Sequence, residues 1–147
     1  MDNLCIIVAM TIYPQLTTTQ IPKFQSAQRV CEKVADKAVD ADVDPLMALA
    51  VAVEETRLRD ITSPAGAKGP LQVLPKYWCP KELPDGETCD YIDAGLDALH
   101  YYMDRGASER DALRRYAGKG KRAREYAERV LRRYNTLVAL LTAIDGC

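Results

Sequence analysis

The sequence is poor in the residues that most often carry metal, redox and membrane chemistry. Its 147 residues include a single histidine, His100, a single tryptophan, Trp78, and a single phenylalanine, Phe24. The five cysteines, Cys5, Cys31, Cys79, Cys89 and Cys147, form no Cys-x-x-Cys pair. With one histidine to add, they match no zinc-ligand spacing. Neither a metal nor a cofactor is expected. No apolar run reaches the roughly 18 residues of a membrane-spanning helix, so no stable span is expected. No long stretch alternates apolar and polar side chains, which argues against a large sheet. Charge of one sign is not in excess either: 20 basic residues meet 21 acidic ones, for a net charge of -1. That balance excludes a bulk polycation that coats nucleic acid. With 48% hydrophobic and 28% charged residues, disordered and fibrous classes fall away too.

What remains is a chain sized for one globular domain, residues 1–147. Its charge is unevenly spread. Residues 1–104 hold nine basic against sixteen acidic side chains, while residues 105–134 hold eleven against four, a local +7. Arg114, Arg115, Lys119, Lys121, Arg122 and Arg124 read most plainly as a solvated helical face, with a hold on an anionic cell wall or outer-membrane surface as the alternative. A nucleic-acid module is a weaker one, because no reading motif accompanies it and the rest of the chain is acidic. Residues 4–13 are apolar for about ten positions. Asp2 stands where a signal peptide carries basic residues, and Tyr13-Pro14-Gln15-Leu16 offers no small-residue cleavage site, so a buried N-terminal segment is expected.

Cys79 and Cys89 bracket a loop with two prolines and an Asp85-Gly86 turn signal. A disulfide closing it is expected rather than two unrelated thiols, and it points to work outside a reducing cytoplasm. Cys31 sits on a helical face and reads as a small buried apolar residue. Nothing in the spacing decides for Cys5 or Cys147.

The fold class is mainly α. Over residues 23–40, Phe24, Ala27, Val30, Cys31, Val34 and Ala38 recur at intervals of three and four. Asp44 followed by Pro45 is a helix start, and residues 46–57 are apolar until Glu54-Glu55, which marks a central, buried helix. Residues 60–69 are turn-rich. Residues 91–105 and 108–117 form two helices parted at Gly106, and residues 121–144 form a long last one.

The chemistry concentrates where the central helix ends. A carboxyl group held at the tip of an apolar rod is half withdrawn from water and keeps its proton more readily, as a general acid must near neutral pH. A pair of glutamates at a helix end is otherwise merely solvated. The following segment, residues 63–75, uses Gly66, Gly69 and Pro70 to build a tight passage that presents Gln72 among Leu71, Val73 and Leu74. A glutamine so placed is expected to face a ligand or the carboxyl group.

These residues resemble the soluble lytic transglycosylase family, within the lysozyme-like superfamily. Glu55-Thr56-x-Leu58, then Ser63-x-x-Gly66-Ala67-x-Gly69-x-Leu71-Gln72-x-x-Pro75, is similar to a family block that usually reads Glu-Ser-x-Phe, then Ser-x-x-Gly-Ala-x-Gly-Leu-Met-Gln-x-x-Pro. Ile92-Asp93-Ala94-Gly95 matches the helix after the substrate loop. Ala112-Leu113-Arg114-Arg115-Tyr116-Ala117-Gly118 matches an Ala-x-x-x-Tyr-Asn-x-Gly-like motif, and Tyr126-Ala127-Glu128-Arg129-Val130 matches the closing tyrosine and helix. The four blocks occur in order across residues 42–134.

The resemblance implies a compact, helical lysozyme-like domain with a substrate groove. The implied substrate is peptidoglycan, cut between N-acetylmuramic acid and N-acetylglucosamine. One glutamic acid, Glu55, serves as acid and then base, and the product carries an anhydromuramyl end. Such substrate-assisted chemistry needs no second carboxylate. Gln72 and Tyr116 are expected to orient the sugar, with Tyr126 as a polar support and Thr56 and Ser63 as hydroxyl contacts. The interval from Glu55 to Ser63 is one residue shorter than usual, which leaves Glu54 as an alternative register. Ala117 replaces the family's asparagine. Two other outcomes fit the same residues: a muramidase-type hydrolase that lets water attack, and a catalytically silent glycan-binding component.

Tyr77 and Trp78 offer flat faces on which a sugar ring can stack, against the plainer reading of partial burial. His100 reads as structural or surface. The setting implied is a phage-encoded lysin, a virion component or a secreted wall enzyme acting in the periplasm or cell wall, as a monomer or on a particle. Peptidoglycan is its expected partner, with no nucleic acid.

Overall fold

A computed structural model describes residues 1–146, and its centre is the helix α3, Pro45–Thr56. Asp44 caps it by accepting a hydrogen bond from the Leu46 amide at 2.9 Å, and Pro45 occupies the first turn, where its missing N–H costs nothing. Every residue from Leu46 to Val53 is buried. The alternation of Ala48, Ala50 and Ala52 with larger side chains lets neighbouring helices approach closely on both sides.

Among the described residues six further helices accompany it: α1 (Asp2–Ile12), α2 (Ile21–Asp40), α4 (Pro75–Trp78), α5 (Tyr91–Arg105), α6 (Glu109–Ala117) and α7 (Gly120–Asp145). Helices α2 and α7 pack directly on α3, α1 lies against α2 and α7, and α6 packs between α5 and α7. One continuous apolar core runs from Leu4 on α1 to Leu137 on α7. The expected mainly α class is the one observed. Among the described residues there is no β-strand, only two isolated bridges, Thr62 to Lys68 and Lys68 to Val73. No helix is long and apolar enough to cross a membrane, among the described residues.

Side-chain caps explain the later boundaries. Asp90 accepts from the amides of Ile92 and Asp93, both at 3.0 Å, to start α5, and Lys37 of α2 reaches Asp90 at 2.5 Å and Asp93 at 3.1 Å. Ser108 accepts from the Asp111 amide at 3.1 Å to start α6. The Tyr134 hydroxyl donates to the Asp44 carboxylate at 2.7 Å, fastening α7 to the start of α3. The apolar segment after Asp2 is a packed helix that buries Leu4, Cys5, Val8, Ala9 and Ile12.

Among the described residues there are two disulfides. Cys79–Cys89 closes the expected loop. Cys31 is buried, as expected of a small apolar residue, but it is also bonded to Cys5, joining α1 to α2 across 26 residues. Cys147 lies outside the described residues. Under denaturing, non-reducing conditions Cys5, Cys31, Cys79 and Cys89 are expected to resist alkylation until a reductant is added. In the chain-entropy model, Cys79→Ser with Cys89→Ser costs about 2–3 kcal/mol and loss of the longer Cys5–Cys31 loop about 3–4 kcal/mol, measurable by urea unfolding.

Candidate active site

The end of α3 is an unusual turn. Arg57 and Leu58 both have positive φ, 56° and 61°, although neither is glycine. Two side chains hold the strain: Leu58 is fully buried, and the Arg57 guanidinium donates to the Ile12 carbonyl at 3.1 Å. The turn is knotted by Thr56. Its hydroxyl accepts from the Arg59 amide at 3.1 Å and sits within donating reach of the Ala52 and Pro70 carbonyls, at 3.1 and 3.0 Å. Thr56 is only 2% exposed. The expectation that it contacts substrate is therefore corrected: its hydroxyl is consumed by backbone partners and ties α3 to the following loop.

That loop, residues 61–73, folds back through reciprocal Lys68–Val73 backbone bonds of 2.8 and 3.1 Å and a Ser63 N–H to Ala67 carbonyl bond of 2.8 Å. Gly69 is required twice over. Its φ is +81°, and an added Cβ would lie 2.7 Å from the Tyr91 Cβ. Gln72 also has a positive φ, 56°, and its amide nitrogen donates to the carbonyls of Ile61 and Gly69, both at 3.0 Å. The carboxamide therefore braces the loop with its nitrogen and keeps its oxygen for another partner. The Tyr116 hydroxyl donates to the Leu71 carbonyl, fastening the loop to α6.

These elements enclose a cleft of about 520 Å³. Of the site residues expected from sequence, Glu55, Ser63, Gln72, Tyr77 and Tyr116 line it. Ser63 spends its hydroxyl oxygen on the Ala67 amide at 3.1 Å. Tyr77 is 66% exposed, with the Lys76 ammonium 4.8 Å from its ring centre. Trp78 also lines the cleft, half buried, in edge-to-face contact with Tyr101 and Tyr102 at 5.4 and 6.0 Å. Tyr126, expected as a polar support, does not line the cleft and is buried.

The two glutamates part company because adjacent helical residues project about 100° apart. Glu54, its side chain 14% exposed, is paired with Arg133 at 2.9 Å and Arg129 at 3.3 Å on α7. Glu55 enters the cleft, and its pKa is pushed up to about 7. Desolvation by burial is the main cause, and the charge of Glu54 adds to it. The Tyr126 hydroxyl and the Arg129 charge oppose it. The Tyr126 hydroxyl closes no hydrogen bond of normal geometry, so it lies at the edge of reach of the carboxyl group. Burial, followed by the neighbouring Glu55 charge, drives the Tyr116 and Tyr126 hydroxyls well above their ordinary pKa, so both stay protonated.

Two substitutions should move the Glu55 titration in opposite directions. Tyr126→Phe removes a group that stabilises the carboxylate and is expected to raise the midpoint. Glu54→Gln removes a neighbouring negative charge and is expected to lower it. Side-chain carboxyl titration by NMR reads both.

A cleft of similar volume, about 540 Å³, lies between α6 and α7. Its Arg110, Asp111, Arg114 and Glu128 are engaged in surface ion pairs at 2.5 to 2.9 Å. Asp111, Glu125 and Glu128 are all held in ion pairs there, whereas Glu55 is desolvated in its own cleft, so the chemistry favours the Glu55 cleft. Such pairs absorb much of the basic stretch into a solvated helical surface. His100 lies exposed on a third, acidic depression beside Asp42, Asp44 and Glu109, apart from Glu55.

Sequence reasoning missed Tyr102 and Arg115 as cleft residues. Ala98 and Tyr102, four apart on α5, both line the cleft, and that spacing was the available signal. Compared with protein-family models, curated proteins and solved structures, the chain has no match in any of the three. The functional reading therefore rests on the residues themselves.

Proposed function

We propose that the protein is a peptidoglycan glycosidase of the lytic transglycosylase type, with Glu55 as the single acid/base. The observation that carries the reading is a carboxyl group at the end of a buried helix, opening into a cleft, with its pKa raised to about 7. Such a group is still half protonated near neutral pH and can both give and take a proton.

In the proposed reaction the Glu55 carboxyl protonates the glycosidic oxygen as the C1–O bond breaks. The substrate's acetamido oxygen supports the positive charge at C1. Glu55, now a carboxylate, takes the proton of the muramyl C6 hydroxyl as that oxygen bonds to C1, giving the anhydro sugar and restoring the acid. Gln72 presents its carboxamide oxygen to the sugar, Tyr77 and Trp78 offer ring faces, and Tyr116 and Tyr126 hold the loop and the carboxyl group. Two disulfides suit a protein that works at the cell wall, outside reducing compartments.

Digestion of purified peptidoglycan sacculi, with products identified by mass, tests the reading. Anhydromuramyl ends are the expected result. Reducing ends would identify a hydrolase acting through the same glutamate, a reading that Ala117 at the cleft favours because no asparagine amide is present there. Intact sacculi would leave a glycan-binding component.

A further inference from the structure

We propose that Arg115 is a specificity residue of the Glu55 cleft, selecting glycans that carry a carboxylate over neutral ones. The inference deepens the proposed function and rests on it. Apart from Glu55, Arg115 is the one charged side chain among the residues lining the cleft. When the carboxyl group at the end of α3 holds its proton, the cleft has a single formal charge, and it is positive.

The neighbourhood of Arg115 leaves that charge available. Its Nε lies 3.0 Å from the Asp111 carboxylate, but Asp111 is shared: its other oxygen accepts from Arg114 at 2.9 Å, and it also accepts from the Ala107 amide at 3.1 Å. Asp111 is thus shared by two guanidinium groups, and of the three only Arg115 lines the Glu55 cleft. Fixing Arg115 through Nε leaves its two terminal nitrogens as donors, the pair of N–H groups that suits bidentate recognition of a carboxylate. The side chain is exposed, so a ligand reaches it without displacing a core residue.

Arg115 is absent from the charges that set the Glu55 titration, whereas Glu54 and Arg129 are among them. Its role is therefore separable: substitution should change which glycan binds and leave the pH dependence of Glu55 in place.

Trp78, the sole tryptophan, lines the same cleft and reports occupancy by its fluorescence. The test titrates wild type, Arg115→Gln and Arg115→Lys with three sugars. One is neutral di-N-acetylchitobiose. The second is the N-acetylglucosaminyl-N-acetylmuramic acid disaccharide, whose carboxylate is on the lactyl group. The third is its dipeptide form, whose carboxylate is on the peptide. Wild type is expected to bind at least one acidic sugar about tenfold more tightly than the neutral one, with a preference that fades as salt is added. Which acidic sugar is preferred identifies the source of the carboxylate. Arg115→Gln is expected to equalise acidic and neutral sugars without weakening the neutral one, and Arg115→Lys to keep part of the preference.

A wild type that binds acidic and neutral sugars equally overturns the inference and leaves the glycosidase reading standing. An Arg115→Gln protein that keeps the preference does the same. A wild type that binds none of the three overturns both.

Discussion

Glu55→Gln is expected to abolish glycan cleavage, with a loss of about 10³-fold or more, while the far-ultraviolet spectrum of the folded protein is unchanged. Removal of a general acid typically costs about 10²–10⁴-fold, and in the proposed reaction one group serves both halves. Glutamine keeps the shape of the side chain and cannot donate a proton of useful acidity. Glu54→Gln instead breaks the pairs to Arg129 and Arg133 and leaves the cleft carboxyl group in place, so it should retain most of the activity.

The same substitution has a second, pH-dependent signature. Folded Glu55 holds its proton up to about pH 7, while its ordinary value is 4.5. Between these values the folded state binds more protons than the unfolded chain, so stability falls as pH rises. The favourable contribution is complete below the ordinary value and lost as pH passes through about 7. Above that, a charged carboxylate in a desolvated site costs about 3 kcal/mol. Glu55→Gln removes the cost. It is expected to be more stable than wild type at pH 8 by about 2–3 kcal/mol and nearly equal to it at pH 4, by thermal or urea unfolding. An activity loss with unchanged stability at pH 8 would mean the carboxyl group is not desolvated.

Gly95→Ala is the second substitution with a large expected effect. Gly95 is buried on α5, and an added Cβ would lie 2.6 Å from the Leu71 Cβ and 2.8 Å from its Cδ1. The Leu71 Cβ is fixed to a backbone that Tyr116 holds by its carbonyl, so the clash cannot be relieved by a rotamer change alone. Overpacking of this kind costs about 1–3 kcal/mol. For a chain of this size that lowers Tm by roughly 3–9 °C. Gln72 follows Leu71 directly, so the shift should also reach the cleft. Loss of cleavage at temperatures where the protein is still folded distinguishes displacement of the loop from simple unfolding. Retained activity with a lowered Tm would show that residues 61–73 are not rigidly coupled to α5.

Much of the helical framework could be read in advance because its boundaries are written as local chemistry. Asp44-Pro45, Asp90 and Ser108 are caps whose side chains bond amides two or three residues ahead, and they begin α3, α5 and α6. The unbroken apolar run before Glu54 likewise could only be a buried helix. The Cys5–Cys31 bond was not legible, since it depends on how α1 crosses α2 and no local spacing encodes a crossing. Thr56 was misplaced for a similar reason. Two consecutive positive-φ residues, Arg57 and Leu58, turn the chain so that the threonine is sealed under Pro70, and neither residue type announces such a turn. Arg115 was hidden among the arginines of a basic helical face. Arg115 and Arg114 both pair with Asp111, and only packing shows that Arg115 is the one that lines the Glu55 cleft.

The most direct measurement is the titration of the Glu55 side-chain carboxyl by carbon-13 NMR, with the resonance assigned by its absence in Glu55→Gln. A midpoint near pH 7 is the expected result, moving up in Tyr126→Phe and down in Glu54→Gln. A midpoint near 4.5, unmoved by either substitution, would show an ordinary solvated carboxylate and leave the cleft without its acid.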